Sequence, residues 1–142
     1  SNPARARVKG YDLIEKLAAN HPDWTFTLAG DPNYISPNQN IKVLGKMKSF
    51  ELLELYNSHQ FYLQLSTSEG FPNALGEAMA CGCVPIGSAV GAIPEIIGDT
   101  EFVLRRKDSI LLESLIQKIL AKDFINLSKK SQQRITKQFN FS

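Results

Sequence analysis

Residues 61–86 read FYLQLSTSEGFPNALGEAMACGCVPI, and this stretch decides the fold. It opens on Phe61 to Leu65, apolar and aromatic enough for a buried strand. The polar cluster Ser66-Thr67-Ser68-Glu69-Gly70 follows, Pro72 ends the loop, and Asn73 to Ala80 reads as a helix ended by Gly82. Val84 to Ile86 begins another short strand. A strand, a glycine-bearing loop, a helix and a strand form the repeating unit of a parallel sheet covered by helices.

The same alternation extends outward in both directions. Lys9 to Asn20 carries Tyr11, Leu13, Ile14, Leu17 and Ala18 at helical spacing, stopping at His21-Pro22-Asp23. Trp24 to Ala29 alternates as a strand and ends at Gly30. Residues 31–40 form a loop rich in Pro, Asn and Ser, and Ile41 to Leu44 a strand ending at Gly45. Ser49 is placed to cap a helix that runs to Asn57. Beyond Ile86, the sequence predicts a helical turn over Ile93 to Ile97, a strand over Glu101 to Leu104, a helix from Asp108 with its apolar stripe, and a polar helix over Phe124 to Lys137. The expected architecture is therefore α/β, a Rossmann-like doubly wound parallel sheet in three αβα layers. Residues 1–8 make a poor strand, so the sheet is expected to be one strand short, with an edge or gap in its place.

Composition narrows the function. The chain has 142 residues, enough for one domain but not for two ordinary ones. Hydrophobic residues make up 43% and charged residues 21%, which excludes wholesale disorder. Sixteen Lys and Arg stand against fourteen Asp and Glu, and no long basic run argues for nucleic acid. Residues 78–94, the longest uncharged stretch, are broken by three glycines and two prolines and cannot span a membrane as one helix. Cys81 and Cys83 are the only cysteines. They read as small buried thiols flanking Gly82, in a reducing, cytoplasmic compartment. No metal-ligand spacing appears, because His21 and His59 lie in unrelated segments.

Open parallel sheets bind ligands beyond the carboxyl ends of their strands. The free N–H groups at the start of the helix near Asn73 would attract an anion, with the helix dipole adding to the pull. Glu77 lies one turn further along the same face, about 5.4 Å away, where a carboxylate would engage two neighbouring hydroxyls of a ribose. Glu69 would face the other end of such a ligand. Plainer readings stand beside these: Glu77 as an ordinary helical glutamate, Ser66 and Glu69 as a capping box, and Lys9 as a solvated charge. Trp24 and Phe26 read as core. Arg105-Arg106-Lys107 reads as a solvated turn, with an acceptor or membrane-surface role as the alternative.

The run EGFPNALGEAMACGCVPIGSAVGAIPEIIG, with seven residues between Glu69 and Glu77, resembles the donor-site signature of glycosyltransferase family 4. These are retaining enzymes of the GT-B fold. Lys9-Gly10 before a helix, the strand ending at Ala29-Gly30, and Ile41 to Gly45 before Phe50-Glu51-Leu52-Leu53 recur in family order. The resemblance implies that residues 1–142 are the C-terminal, donor-binding domain of such an enzyme, whose N-terminal acceptor domain lies elsewhere. It implies that Glu69 binds the donor sugar and Lys9 neutralises the departing diphosphate, the two catalytic assignments. Glu77 would hold the ribose. Main-chain groups of Gly70, Phe71, Asn73, Ala74 and Leu75 would contact the sugar and diphosphate, Gly30 would belong to the donor site, and the base would lie near Leu44 to Met47, along Gly45 and Lys46.

No metal and no cofactor are implied. The substrate would be a UDP- or GDP-linked sugar, and the product a hexoside of a glycan or lipid-linked acceptor in polysaccharide or glycolipid synthesis. The implied location is cytoplasmic, peripheral at the inner membrane face. Departures from the family pattern are Val84-Pro85 in reversed order, no glycine at Thr100 or Glu101, and an upstream arginine represented only by Arg5 or Arg7. A nucleotide-sugar epimerase, a phosphorylase, or a non-catalytic nucleotide-binding module are the competing readings; the paired glutamates favour a transferase.

Overall fold

The computed structural model describes residues 10–65 and 73–138. In chain order they form α1 (Tyr11–Asn20), β1 (Phe26–Ala29), β2 (Ile41–Leu44), α2 (Ser49–Asn57), β3 (Phe61–Gln64) and α3 (Asn73–Ala80). Then come β4 (Val84–Ser88), α4 (Ile93–Ile97), a 3-10 turn (Thr100–Phe102), β5 (Val103–Leu104), α5 (Ser109–Leu120) and α6 (Phe124–Gln138). Every strand pairing is parallel, and helices cover the strands, as the alternation predicts.

The described strands form two parallel sheets, β1 beside β2 and, separately, β3-β4-β5 in that order. Phe26 pairs with Ile41 in the first, while Phe61 pairs with Val84 and Gly87 with Val103 in the second. The break falls between β1 and β3. The segment at residues 1–8, on which the expectation of a short sheet rested, lies outside the described residues.

One hydrophobic core nevertheless joins the two sheets. Leu28 and Ile41 from the first meet Val84, Ile86 and Leu104 from the second, with Leu17 of α1, Leu75 and Met79 of α3, Ile93 of α4, Leu112 and Ile119 of α5 and Ile135 of α6 around them. β4 is buried along nearly its whole length, which explains why Val84-Pro85-Ile86-Gly87 shows no polar alternation. Trp24 and Phe26 pack against this core as expected.

Polar side chains fix the loops. The Asn40 amide donates to the carbonyls of Ala18, His21 and Trp24 at 3.0, 3.0 and 2.9 Å, tying the end of α1 to the entry of β1. Residues 31–40 fold back on α1 because Glu15 accepts bonds from the Tyr34 hydroxyl, the Ser36 hydroxyl and the Asn38 amide. At α2 the expected cap is displaced by one residue. Lys48 occupies the cap position, its N–H donating to the Glu51 carboxylate at 2.8 Å, and Ser49 is already helical. The expected strand from Glu101 is shorter too, because the Asp99 carboxylate takes the Glu101 N–H and curls residues 100–102 into a 3-10 turn.

Candidate donor-binding site

Within each parallel sheet the carboxyl ends of the strands share one side, and the segments leaving them build the candidate site. β1 ends at Gly30, whose φ of +95° suits glycine. Its N–H reaches the carbonyls of Leu44 and Gly45, both at 3.2 Å, so the ends of β1 and β2 close on one another. Lys46 follows, exposed. Leu65, at the end of β3, is buried against Gly10 at the start of α1. From there the chain leads towards α3.

A cavity of about 1200 Å³ connects these ends. Gly30, Lys46 and Met47 line it on one side, Leu65 and Ala74 on the other, and it continues between β1 and β3 past Thr27 and Leu63. Residues 23–30 and 58–65 line it without a gap in number. Consecutive residues of a strand point to opposite faces, so this cavity follows the strand edges rather than a sheet face. Thr27 Oγ1 and His59 Nε2 are 2.8 Å apart and bridge the two sheets, a structural role for a histidine that the sequence places only in a loop.

α3 presents the expected pattern of burial. Asn73 and Glu77 are exposed on one face, Ala74 is half-buried, and Leu75 is completely buried at 0%. The Leu75 side chain therefore belongs to the core, and its main chain alone is available to a ligand. Of the residues singled out from sequence, the structure brings Gly30, Lys46 and Ala74 to one cavity; Leu44 and Gly45 do not line it and are joined to it only through their carbonyls' bonds from the Gly30 N–H. Asn73 and Glu77 stand on the open face of α3. Lys9, Glu69, Gly70 and Phe71 lie outside the described residues.

Sequence reasoning missed Tyr56. Its phenol is buried, which pushes its pKa up to about 12, and the negative charge of Glu77 pushes in the same direction. Burial likewise pushes the Cys83 thiol up to about 12, with Cys81 adding to the effect, and its S–H lies 3.1 Å from the Tyr56 carbonyl. Both cysteines are thus neutral thiols at pH 7, in keeping with a packing role. Among the described residues, no three His, Cys, Asp or Glu side chains gather as metal ligands.

Stability should fall in alkali as a result. The folded pKa values of Tyr56 and Cys83 lie above their ordinary 10 and 9, so the folded state holds protons that the unfolded chain releases. That contribution is complete below pH 9 and is lost as pH rises through about 12. Thermal melts should therefore show Tm declining above pH 9, and Cys83→Ala should decline less steeply over the same window. An equal slope in the variant would remove Cys83 from the account.

The model of the family described as glycosyl transferases group 1 matches residues 4–138, nearly the whole chain. The chain belongs to that family. Among curated group 1 relatives, it is 32% identical over 142 aligned positions to N-acetyl-alpha-D-glucosaminyl L-malate synthase of Bacillus anthracis, covering 90% of this chain and 37% of that protein. It is 30% identical to the phosphatidylinositol N-acetylglucosaminyltransferase gpi3 subunit of Schizosaccharomyces pombe, covering 72% of this chain and 26% of that one. The chain thus spans about a quarter to two-fifths of these relatives' length. In structure it is similar to sucrose-phosphate synthase of Thermosynechococcus elongatus, with a TM-score of 0.82, 25% identity and 94% of this chain against 39% of that one. The C-terminal domain of a group 1 glycosyl transferase from Francisella tularensis shares the fold over 95% of this chain and 82% of that one, with a TM-score of 0.77 and 22% identity. The Rossmann-like αβα fold is that of a GT-B C-terminal domain. Among the described residues, no helix is long and apolar enough to cross a membrane.

Proposed function

We propose that this chain is the donor-binding domain of a retaining family 4 transferase, one that moves a hexose from a nucleotide diphosphate sugar to an acceptor hydroxyl. The observation that carries this reading is the cavity joining Gly30 and Lys46 to Ala74, with Glu77 exposed one turn into α3. It reaches Ala74 in the first turn of α3, and a helix N-terminus is suited to phosphate. The names of the two relatives both carry N-acetylglucosamine, which makes UDP-linked N-acetylglucosamine the first donor to try. They also carry phosphatidylinositol and malate, so an anionic acceptor fits the same reading.

In the reaction, the bond from the anomeric carbon to the diphosphate oxygen breaks, and a bond from that carbon to the acceptor oxygen forms. The acceptor's proton leaves with the diphosphate. Negative charge grows on the leaving group, so positive groups fixed beside it lower the barrier. Lys9 and the N–H groups at the start of α3 would supply them. Glu69 would hold the sugar with its anomeric carbon turned to the acceptor, and Glu77 would hold the ribose. No metal is required in this scheme. The acceptor would be held by a further domain, so the 142-residue chain should bind donor and turn over nothing. Association with the inner membrane face would bring a lipid-linked acceptor within reach.

A thermal-shift screen of the whole protein against UDP, GDP and ADP sugars tests the proposal. One nucleotide sugar should raise Tm well above the effect of the free sugar, as mass action requires of a ligand that binds only the folded state. No shift with any of them would overturn it. Transfer catalysed by the 142-residue chain alone would overturn the division of labour between domains.

A further inference from the structure

Glu15, in the middle of α1, gathers three neutral donors from a single loop. Its Oε2 accepts from the Tyr34 hydroxyl, and its Oε1 accepts from the Ser36 hydroxyl and the Asn38 amide, each of these two at 2.8 Å. The Asn38 amide also donates to the Glu15 carbonyl at 3.2 Å. Tyr11 stands one turn earlier on the same face of α1. Its ring meets that of Tyr34 edge-on, with the centroids 4.6 Å apart. Tyr34 is thus seated by its ring on Tyr11 and by its hydroxyl on Glu15, and it is buried. Burial and the Glu15 carboxylate both raise its pKa, so the phenol stays a donor.

The loop held in this way touches the walls of the candidate site. At its start, Gly30 lines the cavity and Asp31 is buried, while Pro32 Cβ lies 3.6 Å from where a Cβ of Gly45 would stand. Gly45 leads directly into Lys46 and Met47, which line the cavity. Tyr11, on which Tyr34 rests, lines it as well. Glu15 is not among the lining residues. It acts on the site only through what it holds.

We propose that Glu15 is a positioning residue for nucleotide binding, the centre of a clamp that fixes residues 31–40 and, through them, the wall formed by Gly30 and residues 45–47. The inference rests on the donor-site reading, in which the base lies along that wall. A loose loop would have to be ordered each time a base settled against it, and affinity would fall by that ordering cost. With the clamp closed, the ordering is completed when the domain folds. Among the described residues, none of the bonds to Glu15 reaches α3, where the diphosphate would sit. The clamp therefore serves the base and not the phosphates.

The test is calorimetry of the full chain with UDP, GDP, ADP and inorganic pyrophosphate, together with amide hydrogen exchange. E15A should weaken the best-bound nucleoside diphosphate on the order of fivefold and narrow the preference among the three bases, while pyrophosphate binds as before. Gly30 and residues 44–47 should lose exchange protection in the same variant. E15Q should stay near the parent. Its amide oxygen still accepts from Ser36 and Asn38, and the Tyr34 hydroxyl can turn to accept from its N–H. If E15A fails to fold, S36A/N38A leaves the buried Tyr34 pair intact and should shift affinity and exchange in the same direction by less. Unchanged affinity, base preference or exchange in the folded variant would overturn the clamp. So would an equal loss of pyrophosphate, or an E15Q that falls as far as E15A. A parent chain that binds none of the three diphosphates would overturn the donor-site reading itself, and the clamp with it.

Discussion

Gly10→Ala should destabilise the domain by about 3 kcal/mol or more, the largest stability loss expected from a single methyl group in this chain. Two costs combine. Gly10 has φ of +78°, a left-handed conformation that costs an L-residue about 1–2 kcal/mol. The added Cβ would also sit 2.5 Å from Leu65 Cβ and 2.8 Å from the Leu65 carbonyl oxygen. A flexible side-chain tip could swing away, but a backbone oxygen at the end of a strand cannot do so without moving β3. Thermal or urea unfolding measures the loss. Gly30→Ala provides the comparison, because Gly30 also has positive φ, +95°, but nothing lies within 4 Å of a Cβ there. Its cost should be the conformational part alone. Equal losses at both positions would show that the packing against Leu65 contributes nothing. Gly10 also precedes α1 directly, and the reason for a glycine at that position is steric.

The sequence made most of the fold legible because its periodicities are local. α1, β2, α3 and α4 fall close to where apolar spacing and turn residues place them, and Asp108 caps α5 as its position before Ser109 suggests. What was not legible depends on partners distant in sequence. Where the break among the described strands falls, between β1 and β3, follows from which edges meet, and no pattern within Phe26 to Ala29 or Phe61 to Gln64 encodes that. The Thr27–His59 bridge spans 32 residues and the Asn40 bonds span 16 to 22. The smaller departures were closer to hand: Glu51 three residues after Lys48, and Asp99 two before Glu101, are local bonds that the sequence offers beside other choices. At the site, the glycines and the α3 face were readable from spacing. Tyr56 was not, since it meets Glu77 only when α2 packs on α3.

Glu77→Ala should weaken nucleotide binding on the order of 10- to 100-fold, and this is the largest effect on affinity expected from a single described residue. A carboxylate holding two ribose hydroxyls makes charge-assisted hydrogen bonds worth about 1.5–3 kcal/mol each, partly offset by the water that replaces them. Because Glu77 is exposed, its removal should change stability by less than about 0.5 kcal/mol, so lost binding would not report lost folding. A thermodynamic cycle makes the assignment strict. Calorimetry with UDP and with 2′,3′-dideoxy-UDP should show that the parent loses affinity when the hydroxyls go, whereas Glu77→Ala binds the two about equally. If the two losses simply add, Glu77 and the ribose do not meet, and the glutamate acts only through its charge. That outcome would still have a trace in the protein, because the same charge helps raise the Tyr56 pKa, and the phenol should titrate lower in the variant whether or not ribose binds there. The cycle therefore separates a residue that touches the ligand from one that only colours the field around it.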